Sequence, residues 1–410
     1  MNLPVPPDPL PVSASRTGCY AAGPWLRLCA LGASAAVALV VASGELGIAH
    51  RVLVVVALPL LVAVVLGAWF AHRDAFAFAS SGLILFLGAV SSWWSPSLHL
   101  ALAGAALATT VVATARLFRG KRPARVSWRD YVALTKPRIM SLLLLTGAAG
   151  MFVGAQGVPD LGLLAATVVG LGLACGGASA LNHLLDRDID QSMGRTARRP
   201  VAGGRVSPEL ALEFGVTLSA LSFVLLGSVV NVLAAVLALV GNLFYVFVYT
   251  RWLKRSTPQN IVIGGAAGAV PPLVGWAAAT GNLALPALFL FLIVFFWTPP
   301  HFWALALLIK RDYQAAKVPM LPVVRGDRET ARQILLYTVA LVALTLVPAL
   351  TGTFGAVYLA AAVLLGAQFL RLAWSLRSEL TPKRASVLFH YSLAYLALLF
   401  VAMAVDPIVL

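Results

Sequence analysis

Apolar blocks of about 20 residues recur along the whole chain and are separated by short polar stretches. A helix needs roughly 20 apolar residues to cross a hydrocarbon core about 30 Å thick. Thirteen such blocks are present, at about 26–44, 51–71, 75–93, 98–117, 139–156, 160–184, 208–229, 231–250, 259–280, 284–308, 333–353, 355–375 and 387–405. The ten-residue alternation typical of a transmembrane β-barrel is absent from the sequence. The pattern therefore predicts an all-α polytopic membrane protein of about 13 transmembrane helices.

Composition and charge add a topology to this prediction. The chain is 60% hydrophobic and 11% charged, which excludes a soluble globular domain. The formal net charge of +15 resides mainly in alternate loops, at 116–138, 187–205, 251–255, 310–332 and 371–384. Because cytoplasmic loops of membrane proteins are rich in Lys and Arg, the charge indicates topology and not nucleic-acid binding. We expect a plasma-membrane protein with its N-terminus in the cytoplasm and its C-terminus outside.

A basic, proline-containing segment divides the chain into two parts. Residues 121–138 are predicted to be a cytoplasmic linker. Before it come a Pro-rich, disordered cytoplasmic tail at 1–25 and a four-helix membrane module at 26–120. After it, residues 139–410 form a block of nine predicted helices.

A polar stripe closes the sixth apolar block. Asn182, Asp186 and Asp190 are spaced four residues apart, so on a helix they share one face. Acidic residues at a membrane helix are costly and are therefore candidates for function. Two carboxylates and an amide suit Mg²⁺, and the arginines that follow, Arg195 and Arg199, suit phosphate oxygens. The stripe indicates a diphosphate site, although such acids can also be solvated helix caps or partners of the arginines.

Two more polar loops are predicted on the same membrane face. Lys254 and Arg255 follow the eighth block, and Asp312 and Tyr313 follow the tenth. Because these two loops lie on the same membrane face as the stripe, a binding site is favoured over isolated helix caps. Asp188 points away from the stripe and is expected to pair with a neighbouring arginine, Arg187 or Arg195.

Several motifs resemble those of a known superfamily. The run Asn182-xxx-Asp186-xxx-Asp190-xx-Met193-x-Arg195-Thr196-xx-Arg199-Pro200 resembles the signature of the UbiA superfamily of intramembrane prenyltransferases. Within it the chain is most similar to the protohaem IX farnesyltransferase (haem O synthase) family. Three further segments carry that likeness: Leu134-Thr-Lys-Pro-Arg138, Trp297-Thr-Pro-Pro-His-Phe-Trp303, and Asp312-Tyr313 followed by Pro319-Met-Leu-Pro322.

The resemblance implies an activity, site and substrates. Asp186 and Asp190, with Asn182, would hold Mg²⁺ against the diphosphate of farnesyl diphosphate. The implied diphosphate-binding side chains are Lys136, Arg195, Arg199, Lys254 and Arg255. The farnesyl cation would then join a vinyl group of haem B and capture water, which gives haem O for haem–copper oxidase maturation. Because Asp312 has Ala316 four residues on, where many superfamily members carry a second aspartate, one metal site is favoured over two.

A histidine inside the tenth block is a candidate for binding haem. His301 lies between Trp297 and Trp303 and follows two prolines in an apolar span. Such an imidazole could ligate haem iron or line an aromatic cavity that stabilises a cation. It could equally be a histidine hydrogen-bonded within the bundle, and the sequence leaves the three alternatives open.

The front module carries a second possible haem site. His50 and His99 begin the second and fourth blocks, at the predicted outer surface. The segments Ala49-His50-Arg51 and Ser97-Leu-His-Leu-Ala101 resemble one half of haem A synthase, the enzyme that uses haem O. The resemblance implies a haem bound to this module and haem A synthase as a partner. Two unrelated interfacial histidines are the alternative.

Two other functions compete with haem farnesylation. The first keeps the fold and replaces the acceptor with a quinone or chlorophyll precursor, against which the Trp297–Trp303 and Asp312–Pro322 segments argue. The second is an ion-coupled transporter. Transporters commonly have paired inverted repeats, and no second half of this chain mirrors the acids.

Overall fold

The structure is a computed structural model that describes residues 126–409, and this part of the chain is helical. Nine of its helices are long and apolar enough to cross a membrane. We number them α1 (Pro137–Ala155), α2 (Leu161–Leu185), α3 (Pro208–Val230), α4 (Val232–Ser256), α5 (Asn260–Thr280), α6 (Leu285–Leu308), α7 (Gly326–Leu350), α8 (Ala356–Ser378) and α9 (Pro382–Val409). The predicted all-helical fold is confirmed for this region, and the four spans predicted before residue 120 lie outside the described residues.

Helix ends differ from the prediction where charged residues begin. Helix α4 continues to Ser256 and α7 begins at Gly326, whereas the apolar pattern placed these boundaries at 250 and 333. Charge interrupts the hydropathy pattern but not the backbone hydrogen bonds, so a helix can extend beyond the hydrocarbon region. Lys254 and Arg255 therefore lie on the last turn of α4 and not in a loop. Residues Phe244–Leu253 of α4 are wound as a π-helix, a form found often at functional sites.

The second half of the predicted linker 121–138 contains a helix. Residues Trp128–Thr135 form a helix, which Ser127 caps by accepting a hydrogen bond from the backbone N–H of Arg129. Leu134 on this helix is fully buried, and the Ser179 hydroxyl of α2 donates to its carbonyl at 2.6 Å. Leu134 packs in one apolar cluster with Ala180 of α2 and with Val201 and Leu210, a contact that the basic composition of the segment does not reveal. The folded domain thus begins before residue 139.

Small residues allow the membrane helices to approach closely. A Cβ atom added to Gly275 of α5 would lie 1.8 Å from the carbonyl oxygen of Gly147 in α1. A Cβ on Gly150 would lie 2.4 Å from the carbonyl oxygen of Pro272. Helices in a membrane associate largely through such close packing, because lipid tails are as apolar as their side chains. Helix α6 lies deepest, with 61% of its most apolar window buried.

Candidate active site

The three predicted metal ligands come together at the end of α2. Asn182 lies in the last turn of α2, Asp186 caps that helix, and Asp190 lies in the short helix Arg187–Ser192. The backbone N–H of Asp190 donates to the carbonyl of Asp186 at 2.8 Å, so the four-residue spacing continues past the end of α2. All three are buried, with exposures of 3%, 0% and 1% for Asn182, Asp186 and Asp190.

Each of these side chains has a cationic partner. Lys254 Nζ lies 2.5 Å from Asp186 Oδ2, and Arg199 Nη1 donates to both carboxylate oxygens of Asp190 at 2.8 and 2.9 Å. Lys136 Nζ donates to Asn182 Oδ1 at 2.7 Å. Buried charges are tolerated when they are paired, so these acids and bases stabilise one another.

The site attracts anions near Lys136. Burial, together with the positive charges of Arg199 and Lys254, lowers the pKa of the Lys136 ammonium to about 7. A cation held beside other cations and away from water is stabilised by an incoming negative charge. The arrangement is therefore suited to a multiply charged anion such as a diphosphate.

The Asn182 amide joins the acids to α4. Its Nδ2 atom donates to Asp186 Oδ2 at 2.8 Å and to Thr250 Oγ1 at 3.1 Å. Thr250 is fully buried, and sequence reasoning missed it because it ends an ordinary apolar run. The Asn182 oxygen is already bound by Lys136, whereas Asp186 Oδ1 has no hydrogen bond, so Asp186 is the strongest candidate for a metal ligand.

The donor set fits one divalent cation. Between residues 126 and 409, no group of three or more His, Cys, Asp and Glu side chains could hold a metal. Asp186 Oδ1, however, is buried and has no hydrogen-bond partner, which is costly for a carboxylate oxygen. A hard cation that prefers oxygen ligands, such as Mg²⁺, would satisfy this atom. The Asp186 and Asp190 carboxylates are thus the groups that fit the metal.

Asp188 lies off the stripe, as predicted, but its predicted local partner is wrong. Its carboxylate binds the Arg255 guanidinium of α4 through two contacts of 2.7 Å. The hydrogen bond from Arg255 holds the pKa of Asp188 low, at about 2. Arg255 also donates to the Leu185 carbonyl at 2.7 Å. This arginine therefore ties the end of α4 to the end of α2.

The second acidic loop reaches the same region. Asp312 and Tyr313 lie on the short helix Lys310–Ala315, which follows α6. Burial raises the pKa of Tyr313, whereas the nearby charges of Arg195 and Arg199 lower it. The Asp312 carboxylate is half-buried and has no ion pair or hydrogen bond recorded among residues 126–409. The loop thus adds a tyrosine and a single carboxylate to the site.

Two more tyrosines on α4 lie near the site. Tyr245 and Tyr249 stack with their ring centroids 5.5 Å apart, and both lie close enough to Asp186 to interact with its charge. Their four-residue spacing, ahead of Lys254 on the same helix, was a sequence signal that could have identified them.

Of the two tryptophans near His301 in the sequence, Trp297 contacts its ring and Trp303 does not. Trp297 stacks on the ring at 4.3 Å, but the opposite face is covered by Phe389 of α9 at 4.8 Å. Residues two apart on a helix do not face each other, so Trp303 points elsewhere and packs against Tyr337. Helix α6 continues through Pro299 and Pro300. The other haem-binding candidates, His50 and His99, lie outside the described residues.

Comparison with known proteins identifies the family. Residues 143–401 match the model of the UbiA prenyltransferase family. The chain therefore belongs to this family, and its long apolar helices make it a multi-pass membrane protein. Its curated relatives include the protohaem IX farnesyltransferase of Symbiobacterium thermophilum, which is 56% identical over 68% of this chain and 94% of its own length. The enzyme of the same name from Azotobacter vinelandii is 51% identical over 70% of this chain and 95% of its own length.

Other relatives are longer than the matched region. The chain spans about half the length of the Roseiflexus sp. protohaem IX farnesyltransferase, with 54% identity over 68% of this chain and 53% of the relative. The Chloroflexus aurantiacus relative matches 80% of this chain at 46% identity, which is more than residues 126–410 can supply. That match therefore extends into the residues before 126.

Solved structures share the fold of the nine-helix region. A digeranylgeranylglyceryl phosphate synthase has a TM-score of 0.58 at 20% identity and covers 69% of this chain and 99% of its own. A UbiA homologue from Archaeoglobus fulgidus, bound to DMAPP and Mg²⁺, has a TM-score of 0.55 at 17% identity over 67% of this chain and 99% of its own. The predicted family and prenyltransferase bundle are confirmed.

Proposed function

We propose that this chain transfers the farnesyl group of farnesyl diphosphate to a vinyl group of haem B, with Mg²⁺, to form haem O and diphosphate. The observation that carries the proposal is the buried pair Asp186 and Asp190, each held by a cation, at the end of a membrane helix. The names of the relatives and the Mg²⁺ and DMAPP bound to a protein of the same fold support it.

The residues of the site would act by changing partners. Asp186 and Asp190 would hold Mg²⁺, which supplies positive charge that stabilises diphosphate as a leaving group. Lys254, Arg199 and Lys136, which now bind the stripe, would turn to the phosphate oxygens. The bond between farnesyl C1 and oxygen then breaks, and its electron pair leaves with the diphosphate.

The acceptor half of the reaction needs a pocket that limits water. The vinyl group supplies the electron pair for the new carbon–carbon bond, and the resulting cation takes up one water and loses one proton. Tyr245, Tyr249 and Tyr313 lie within electrostatic range of Asp186 and would stabilise the farnesyl cation through their ring faces. They would also exclude stray water from the cation until the vinyl group has reacted.

One experiment tests both the reaction and the acid site. Membranes containing the protein are given haem B, farnesyl diphosphate and Mg²⁺, and the extracted haem is analysed by chromatography and mass measurement. We expect a haem that has gained a hydroxyethylfarnesyl group. Asp186→Asn should lower the rate on the order of 10²–10³-fold, because it removes a group that stabilises the leaving diphosphate. Asp188→Asn removes the same charge two residues further along the chain and should retain most activity.

Two outcomes would contradict this function. The first is unchanged haem from correctly inserted protein, and the second is prenylation of a quinone precursor instead of haem. Equal activity of Asp186→Asn and Asp188→Asn would show that Asp186 does not bind the metal. Activity of the parent protein without Mg²⁺ would also contradict the metal assignment.

The placement of the protein and the role of its front module belong to the same proposal. We infer a plasma-membrane location with the acid site on the cytoplasmic side, because the loops around that site carry most of the Lys and Arg residues. The module 26–120 would bind haem through His50 and His99 and would pass haem O to haem A synthase. The absorbance of the haem-loaded full chain tests this: a spectrum unaffected by His50→Ala would refute it.

A further inference from the structure

The hydrogen bonds of Ser392 determine which nitrogen of His301 carries a proton. Ser392 Oγ lies 2.7 Å from His301 Nδ1 and 2.7 Å from the carbonyl oxygen of Phe389. A carbonyl cannot donate, and two oxygens approach this closely only with a hydrogen between them, so the single hydroxyl proton points to Phe389. Ser392 must then accept from His301, which makes Nδ1 the protonated nitrogen and leaves the lone pair on Nε2.

The imidazole is neutral and its orientation is fixed. His301 is 7% exposed, and no acidic side chain in the described range contacts it, so a buried positive charge would have no partner. Trp297 and Phe389 cover its two faces, and the Trp297 Nε1–H donates to the Ser392 carbonyl at 2.7 Å. His301 Nε2 has no hydrogen-bond partner among residues 126–409, and part of its surface is accessible.

This geometry separates the roles that the sequence left open. A ring that stabilises a cation must offer its face, and both faces of His301 are covered. A histidine that only closes the bundle has no use for a lone pair directed away from its partners. A neutral imidazole with Nδ1–H bonded to a hydroxyl and Nε2 free has the arrangement of a metal-binding histidine.

We propose that His301 Nε2 is an axial ligand of the iron of the haem substrate, and that Ser392 is the positioning residue that fixes the ring. This inference rests on the proposed function. His301 lies seven residues before the end of α6, about 10 Å from that end, since a helix rises about 1.5 Å per residue. One apolar cluster contains both Trp297 and the residues Ile189 and Met193 on either side of Asp190. A haem held by its iron at this depth could present a rim vinyl group to the end of the bundle where the acids lie.

Titration of the full chain with haem B, without farnesyl diphosphate, tests the ligand. The titration uses a His50→Ala/His99→Ala background, so that the front module does not contribute a histidine-bound signal. We expect saturable binding with the absorbance and iron–imidazole Raman band of a histidine-ligated haem. His301→Gly should lose this band and bind haem at least tenfold more weakly, and free imidazole should restore the band. His390→Ala, which removes an exposed histidine of the same helix pair, should change nothing.

Ser392 variants test the positioning. Ser392→Ala leaves His301 in place but removes the acceptor of its Nδ1–H, so the iron–imidazole band should shift or broaden and haem affinity should fall severalfold. Ser392→Thr keeps the hydroxyl and should restore both. Binding of farnesyl diphosphate, measured in each variant, reports that the acid site is still folded.

The inference fails if His301→Gly binds haem B with an unchanged spectrum and affinity while haem O is still formed. It also fails if Ser392→Ala and the parent are indistinguishable. A different result bears on the proposed function: normal histidine ligation of haem, with no farnesylated haem produced when all substrates are present, would overturn the reaction and leave the ligand assignment intact.

Discussion

Lys254 binds Asp186 from a different helix, and this contact joins the metal-binding and phosphate-binding parts of the site. The lysine is mostly buried and approaches Asp186 Oδ2 at 2.5 Å, while Oδ1 of the same carboxylate has no hydrogen bond and lies 3.9 Å from Arg255 Nη2. Lys254 thus holds Oδ2 but would be needed at the phosphate oxygens when substrate binds. Oδ1 has no hydrogen bond that a metal would have to displace. We expect substrate binding to require this exchange, in which Lys254 moves from Asp186 to a phosphate oxygen.

Removing the Lys254 charge should weaken the binding of diphosphate. We expect Lys254→Met to lower kcat/KM for farnesyl diphosphate about 10- to 100-fold, because a hydrogen bond to a charged group contributes about 1.5–3 kcal/mol. Lys254→Arg should recover part of the loss. Steady-state kinetics on equal amounts of inserted protein measure the effect. Lys310→Met, which breaks an ion pair with the exposed Asp327, is the control, and an equal loss there would contradict the assignment.

Thr250 tests whether the orientation of Asn182 matters. Thr250→Val keeps the shape but removes the acceptor of the Asn182 Nδ2–H at 3.1 Å. Groups that orient ligands in this way typically account for 10- to 100-fold in activity, so we expect a loss of about tenfold in kcat with Mg²⁺. Thr250→Ser restores the hydroxyl and should restore the rate. Equal rates for the valine and serine variants would show that the contact is unimportant.

The sequence identified the acids and their cationic partners but not the residues that orient Asn182 and His301. Asp186 and Asp190 stand out because charge is rare in an apolar chain. Thr250 and Ser392 are ordinary residues of apolar helices, and they lie 68 and 91 positions away from Asn182 and His301. Contacts of this length depend on how helices pack, which periodicity in a single sequence does not specify.

At the scale of helices, the apolar pattern predicts the spans better than their ends. All nine spans between 137 and 409 follow from hydropathy, because the bilayer sets both their length and their composition. Hydropathy does not detect the continuation of α4 to Ser256 or the docked helix Trp128–Thr135, because both segments are charged. These are the segments that bring Lys254 and Lys136 to the acids, so the misjudged ends are the functional ones.

The contact between α1 and α5 should be sensitive to a single methyl group. Gly275→Ala would place its Cβ 1.8 Å from the Gly147 carbonyl, so the two backbones must separate. We expect the free energy of unfolding to fall by about 1–3 kcal/mol, as for other overpacked sites. Thermal inactivation in detergent measures the change. The Cβ of Gly268→Ala on α5 meets no atom within 4 Å, so this variant should leave the midpoint temperature of thermal inactivation unchanged. Equal midpoints for the two variants would refute the close approach.

For the whole molecule, the matched lengths show that one relative consists of little more than the region that matches this chain. The Symbiobacterium thermophilum relative is covered over 94% of its own length by a match to 68% of this chain. That relative therefore has no room for a counterpart of residues 1–125. The longer Chloroflexus aurantiacus relative, by contrast, shares part of the front segment. Because this segment is present in some relatives and absent from others, we expect the proposed transfer step not to require it.

A truncated chain tests this division. We expect residues 126–410 to form haem O from added haem B and farnesyl diphosphate at a rate within roughly twofold of the full chain, because the domain has its own core and its own acid site. Haem delivered at limiting concentration should distinguish the two proteins, with slower turnover of the truncated chain if the front module supplies or removes haem. Asp186→Asn in the truncated chain controls for other prenyltransferases in the membrane. Loss of all activity in a truncated protein that still binds farnesyl diphosphate would show that the front module takes part in the transfer.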